Sequence, residues 1–183
     1  MENFDFENRE QILGLIDRAD DNQETIKLIS HFQKLKSQRK PMFLDKSDFD
    51  SILKWKLRSQ FGRQLKLRQL NTNEIIQKVT KLVFAIEHPD NNYETELKLK
   101  ILASIKGVEI PVASAILTLT SPDKFAVVDF RVWRQLFGEK KSYYTTTDYF
   151  KYIGRIKELS DKYDLKLQQI DMAIWQYDIE QNG

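Results

Sequence analysis

Apolar residues recur at helical spacing through almost the whole of this chain, and no segment is suited to building a sheet. In NREQILGLIDRA, Ile12, Leu15 and Ile16 share one helical face, and in NQETIKLISHFQKLK so do Ile26, Ile29, Phe32 and Leu35. Pro41 stops that second helix. Asp45 or Ser47 caps a third, with Phe49, Ile52, Leu53 and Leu57 on its buried side. Asn71 and Glu74 have capping-box spacing at the start of EIIQKVTKLVFAIEH, and Pro89 follows its end. Further helices are expected over about 93–105 and 111–120, from near Asp129, from Thr146 or Thr147, and from Asp164 to the C-terminus. The best strand candidate, FAVV at 125–128, is too short to form a sheet. The fold class is therefore all-α.

Length and composition narrow the chemistry. The 183 residues suit one domain over 1–183, with room for two lobes: acidic helices over about 1–45 and a core over about 46–183. With no cysteine, neither a disulfide framework nor a thiolate zinc site can form. His31 and His88 are too few and too far apart for a histidine metal site or a catalytic triad, so no metal and no cofactor is expected. No apolar run approaches a membrane span, and MENFDFENRE is not a signal peptide, which points to a cytoplasmic monomer.

Charge is unevenly spread. Residues 1–24 carry eight acids against Arg9 and Arg18, whereas 51–70 carry Lys54, Lys56, Arg58, Arg63, Lys66 and Arg68 with no acid. A basic stretch of this kind is either a face for a polyanion or a solvated helix face balanced by the acidic N-terminus.

The stretch KGVEIPVASA sets Gly107 in a tight turn and Pro111 at the start of a helix, so two helices are joined by about four residues. The turn is either a plain connection or a hairpin whose amides, with the following helix N-terminus, hold a phosphate oxygen. Ala113, Ser114 and Ala115 are small enough for close helix packing. In AVVDFRVWR, Asp129 interrupts an apolar run where a helix opens. A carboxylate there accepts hydrogen bonds from free amides, is favoured by the helix dipole and stays ionised.

KGVEIPVASAILTLTSPDKFAVVDFRVWRQLF resembles the helix-hairpin-helix DNA glycosylases, especially the 8-oxoguanine DNA glycosylase-like branch. The resemblance covers roughly 97–137. It rests on Gly107-Val108 in the hairpin, Ala113 in the second helix, and Pro122, Phe125, Val127 and Asp129 approaching the catalytic aspartate. IDMAIW, with Asp171 and Trp175, is similar to the closing helix of small members. The resemblance implies an all-helical glycosylase fold that grips duplex DNA through Lys106, Gly107, Val108, Glu109, Ile110 and Val112. It also implies that Asp129 stabilises the oxocarbenium charge or activates water, and that a flipped base is held by aromatic faces. Arg131 is expected on the phosphate beside the flipped nucleotide, and Lys56 and Arg58 on the backbone. Trp55, Tyr143 and Tyr144 are expected around the base, and Trp133 and Trp175 in the core.

Two departures bear on activity. Glu109 stands where the family has a second hairpin glycine, which puts a carboxylate beside the phosphate. Pro111 stands where bifunctional members carry a lysine, so a Schiff base cannot form at that position; Lys56 and Lys106 are the other candidate lysines. The resemblance therefore implies a monofunctional base-excising glycosylase. A DNA-binding protein without the chemistry, and a helical interaction domain, are the alternatives.

Overall fold

The computed structural model describes residues 4–20 and 22–183, and among these the chain forms ten α-helices, one short 3-10 turn and no strand. Helix α1 (Arg9–Arg18) is capped by Asn8 and buries Ile12, Leu15 and Ile16. In α2 (Asn22–Gln38) the buried side is Thr25, Phe32 and Leu35, while Ile26 faces solvent. α3 (Lys46–Leu57) opens with a reciprocal cap between Asp45 and Asp48. Asp48 is buried because it also binds Arg39, and His31 lies 3.1 Å from its other oxygen. Arg39 and His31 hold the Asp48 carboxyl below the usual carboxylate range, even though burial acts to raise it.

α3 ends at Arg58, whose φ of 48° is a left-handed value that a non-glycine residue rarely takes. A 3-10 turn (Arg58–Gln60) and the one-turn helix α4 (Leu65–Arg68) follow. α5 (Asn73–Ala85) is capped by Thr72, not Asn71. The Asn71 side chain instead spans 35 residues: its amide donates to the Lys106 carbonyl, and its oxygen accepts from the Lys106 amide. α6 (Asn91–Leu102) is capped by Asp90.

At the centre is α7 (Ile110–Thr120), buried at every position but Pro111. A helix apolar all round needs neighbours on every side, and α2, α3 and α6 supply them. α8 (Phe130–Phe137), α9 (Thr146–Tyr163) and α10 (Leu167–Asn182) complete the fold, with α10 packed against α1, α8 and α9. One hydrophobic core runs from Phe6 to Ile174. α9 is capped by Thr145, one residue before the expected position. Asp164 does not cap α10, which starts three residues later: it is the left-handed C-cap of α9, its amide donating to the Ser160 carbonyl. No described helix is long and apolar enough to cross a membrane.

Candidate functional site

FAVV is extended and buried, and it is pinned from both sides. Ser114 Oγ accepts the Val128 amide at 3.0 Å while donating to the Pro111 carbonyl, and Tyr152 donates to the Val127 carbonyl at 2.8 Å. The small residues of α7 thus let this strand-like segment approach closely and deliver Asp129 to the start of α8. There Asp129 Oδ1 accepts the Arg131 amide at 3.0 Å, the N-cap geometry expected for it.

The other oxygen has a partner from a distant part of the chain. Lys56 Nζ, on α3, lies 2.8 Å from Asp129 Oδ2 and 2.9 Å from the Val128 carbonyl. Its side chain is only 9% exposed, against 21% for Asp129. Lys56 is therefore a partner of Asp129 and not a solvent-facing phosphate ligand. Burial pushes the Asp129 carboxyl up, but the Lys56 charge and hydrogen bond outweigh it and hold the group below the ordinary aspartate range.

Lys56 and Asp129 stand where a narrow cavity meets a wide groove. The cavity, about 70 Å³, is walled by Trp55, Leu119, Met172 and Trp175, with Gln168 and Asp171 among its polar groups. The groove, about 720 Å³, runs past Ser59, Gln60, Pro111, Arg131 and Lys140. Trp55 keeps its indole edge on Thr25, donating to Oγ1 at 3.1 Å. Trp175, expected in the core, is instead half-buried on the cavity wall, and the Arg58 guanidinium stacks 4.3 Å from its ring. Gln168, Asp171, Met172 and Trp175 repeat at i, i+3, i+4 and i+7 on α10, which brings them to one face. Gln168 belongs to no motif and Met172 lies within IDMAIW without a role of its own there, so that spacing is the signal in the sequence that finds them.

Tyr152 and Asp171 share a short hydrogen bond, and the one hydroxyl proton of Tyr152 serves one acceptor at a time, the Val127 carbonyl or the Asp171 carboxylate. Desolvation, and secondarily Asp129, raise its carboxyl to about 7, against the lowering effects of Tyr152 and Lys56. A folded-state value above the ordinary 3.8 means that the native state holds this proton more tightly than the unfolded chain. The stabilisation is complete below about pH 4 and is lost as pH rises through 7. Relative to Asp171→Asn, wild type should lose on the order of 3 kcal/mol between those limits. Urea melts of the two proteins at steps from about pH 4 to 8 measure this, and a constant difference would show that Asp171 does not titrate there.

Other expected residues fall elsewhere. Arg131 directs its guanidinium to Asp178 at 3.1 Å, an ion pair between α8 and α10, while its partly exposed side chain also lines the groove. Trp133 is core, as expected, at 1% exposure. Tyr144 is buried against it, with ring centroids 5.4 Å apart, and only edges the groove; Tyr143 is 68% exposed and lines neither cavity nor groove.

Val108, Ile110 and Val112 bury their side chains, and the Val108 amide already donates to the Ile105 carbonyl, which leaves the first-turn amides of Ile110 and Val112 to face a ligand. Gly107 has φ of 77°, and a Cβ there would meet Arg68 Cγ at 2.7 Å, so both conformation and space demand glycine. Lys106 and Glu109 are exposed at the tip, and Glu109 occupies the N-cap of α7 without a side-chain cap bond. Pro111 is the second helical residue and not the first. Among the described residues no cluster of three or more His, Cys, Asp or Glu side chains is placed to hold a metal. No protein family, curated protein or solved structure matches this chain.

Proposed function

We propose that this protein is a DNA glycosylase of the helix-hairpin-helix kind, a monomer without cofactor that acts on DNA in the cytoplasm. One observation carries the reading: an ionised carboxylate, Asp129, is fixed at the mouth of a cavity walled by Trp55 and Trp175. A base rotated out of the duplex stacks between such indoles, which leaves its C1′ at the mouth beside Asp129. As the N-glycosidic bond breaks, positive charge develops on the sugar and the carboxylate stabilises it. Gln168 and Asp171 are placed to hydrogen-bond the edge of the base. Pro111 leaves no amine at the start of α7, so that position supports only attack by water.

Backbone gripping falls to the exposed hairpin and the groove rim. Lys106→Ala combined with Lys140→Ala should weaken duplex binding and reduce the slope of log K against log salt by about 0.9 for each phosphate no longer neutralised. Fluorescence-anisotropy titrations between low and moderate salt read this directly; an unchanged slope would move the DNA face elsewhere. The test of function itself is base release from duplexes carrying a panel of oxidised, alkylated and deaminated bases. Glu109 favours a second reading, a DNA-binding protein without the chemistry, because its carboxylate faces outward at the hairpin tip. Duplex binding with no base released from any substrate would favour that reading.

A further inference from the structure

We propose that Arg58 restricts this site to bases that arrive as part of a strand. Stacked on Trp175, it keeps free nucleobases and nucleosides out of the cavity, and phosphates entering the groove draw it away. This rests on the glycosylase reading above and adds a selection step that neither Asp129 nor the hairpin supplies.

The cavity walls create the need for selection. Stacking on an indole depends little on which base is stacked, so Trp55 and Trp175 would hold a loose nucleoside as readily as a base turned out of a duplex. Discrimination requires a group that responds to what the base is attached to, and in a strand the constant attachment is phosphate.

Arg58 is held where it can do this. Residues two apart on an α-helix do not share a face, so an unbroken α3 would carry Arg58 away from Lys56. Instead α3 stops at Arg58, where φ of 48° and ψ of −124° redirect the chain. Both side chains then line the same cavity and the same groove. Glycine takes a positive φ at little cost, whereas arginine is strained there, and strain of this kind beside a cavity points to a side chain held for function. The contact it secures is the guanidinium 4.3 Å from the centre of the Trp175 ring. One such stack is weak enough to be exchanged for a base. The rest of the Arg58 side chain is exposed, so it can swing aside without disturbing the core. The groove beside it is lined by Arg131, Lys140 and Lys141, and a phosphate drawn there meets in Arg58 a planar donor that binds two oxygens at once.

The deoxyribonucleoside of 2-aminopurine, whose fluorescence is quenched on stacking, is the probe. Arg58→Gly removes the guanidinium and relieves the backbone, and it should bind the probe about tenfold more tightly than wild type, the equilibrium worth of one cation–π stack. Arg58→Asn, which also tolerates positive φ, should show the same gain and serves if the glycine variant does not fold. A gain of binding does not arise from a merely damaged structure. A short duplex with one abasic site supplies the phosphates and leaves the cavity empty. Bound to wild type, it should tighten the probe by a similar factor, and bound to Arg58→Gly it should change nothing. Equal probe affinity in wild type and both variants, or probe binding in none of them, would overturn the proposal. So would a bound duplex that leaves the wild-type affinity unchanged. A gain in the variants with no duplex bound would keep the cover on Trp175 and overturn phosphate as its trigger, and the DNA reading with it. Both expected probe results with no base released from the panel would uphold the selection and remove the chemistry.

Discussion

Replacing Asp129 by asparagine is expected to lower base release by about 10²–10⁴-fold, the range typical of a positioned acid–base group. In the proposed reaction the variant loses the charge opposite the developing oxocarbenium and the acceptor for the proton of the attacking water. Its fold should survive, since asparagine can still accept the Arg131 amide as an N-cap. The change is not silent for stability, however. Lys56 is left enclosed without its counter-charge, at an expected loss of about 1–3 kcal/mol. Single-turnover assays well below the lowered melting temperature separate the two effects. Full activity in the variant would remove Asp129 from the mechanism.

The largest stability effect is expected from Asp178→Ala, about 3–5 kcal/mol in a denaturant melt at neutral pH. Asp178 has no exposed side-chain surface, and its carboxylate gathers Arg131 at 3.1 Å, Arg134 at 2.9 and 2.6 Å, and Gln135 at 2.7 Å. Truncation would leave two guanidinium groups facing a void between α8 and α10. Burial alone would raise the Asp178 carboxyl, but these partners hold it below the ordinary value. Its contribution is therefore present above about pH 4 and lost as pH falls through the depressed folded value, so wild type and variant should converge in acid. A loss below about 1 kcal/mol would mean that the apolar packing of α8 on α10 suffices without it.

The helices were legible because their signals are local. Ile12, Leu15 and Ile16 repeat within one turn of each other, and Asp129 reads as a cap from its place before FRVW. The errors occur where a side chain serves a distant partner. Asn71 has the chemistry of a cap but is drawn to Lys106, which leaves the cap to Thr72. Ile26 fits the periodicity of α2, yet the buried face is set by which side meets α7. The aspartate of the site was visible in sequence, but its ion pair was not, because Lys56 lies 73 residues away and the meeting depends on how α3 crosses α7. Trp175 and Tyr143 missed their expected places for the same reason: periodicity places a residue on a face, and only packing decides whether that face meets a cavity, the core or solvent.

The pinning of residues 127 and 128 by Tyr152 and Ser114 has a further consequence for how this protein fails. Both anchors are fully buried, and Ser114 sits in the helix that every central neighbour packs around. The segment that carries Asp129 consequently has no loose state of its own to visit while the rest of the molecule stays intact. Heat is therefore expected to melt site and scaffold together, unlike in proteins whose reactive groups ride on surface loops. Loss of the proposed activity and global unfolding are expected to be one event, with the interior of the protein setting the thermal tolerance of the site.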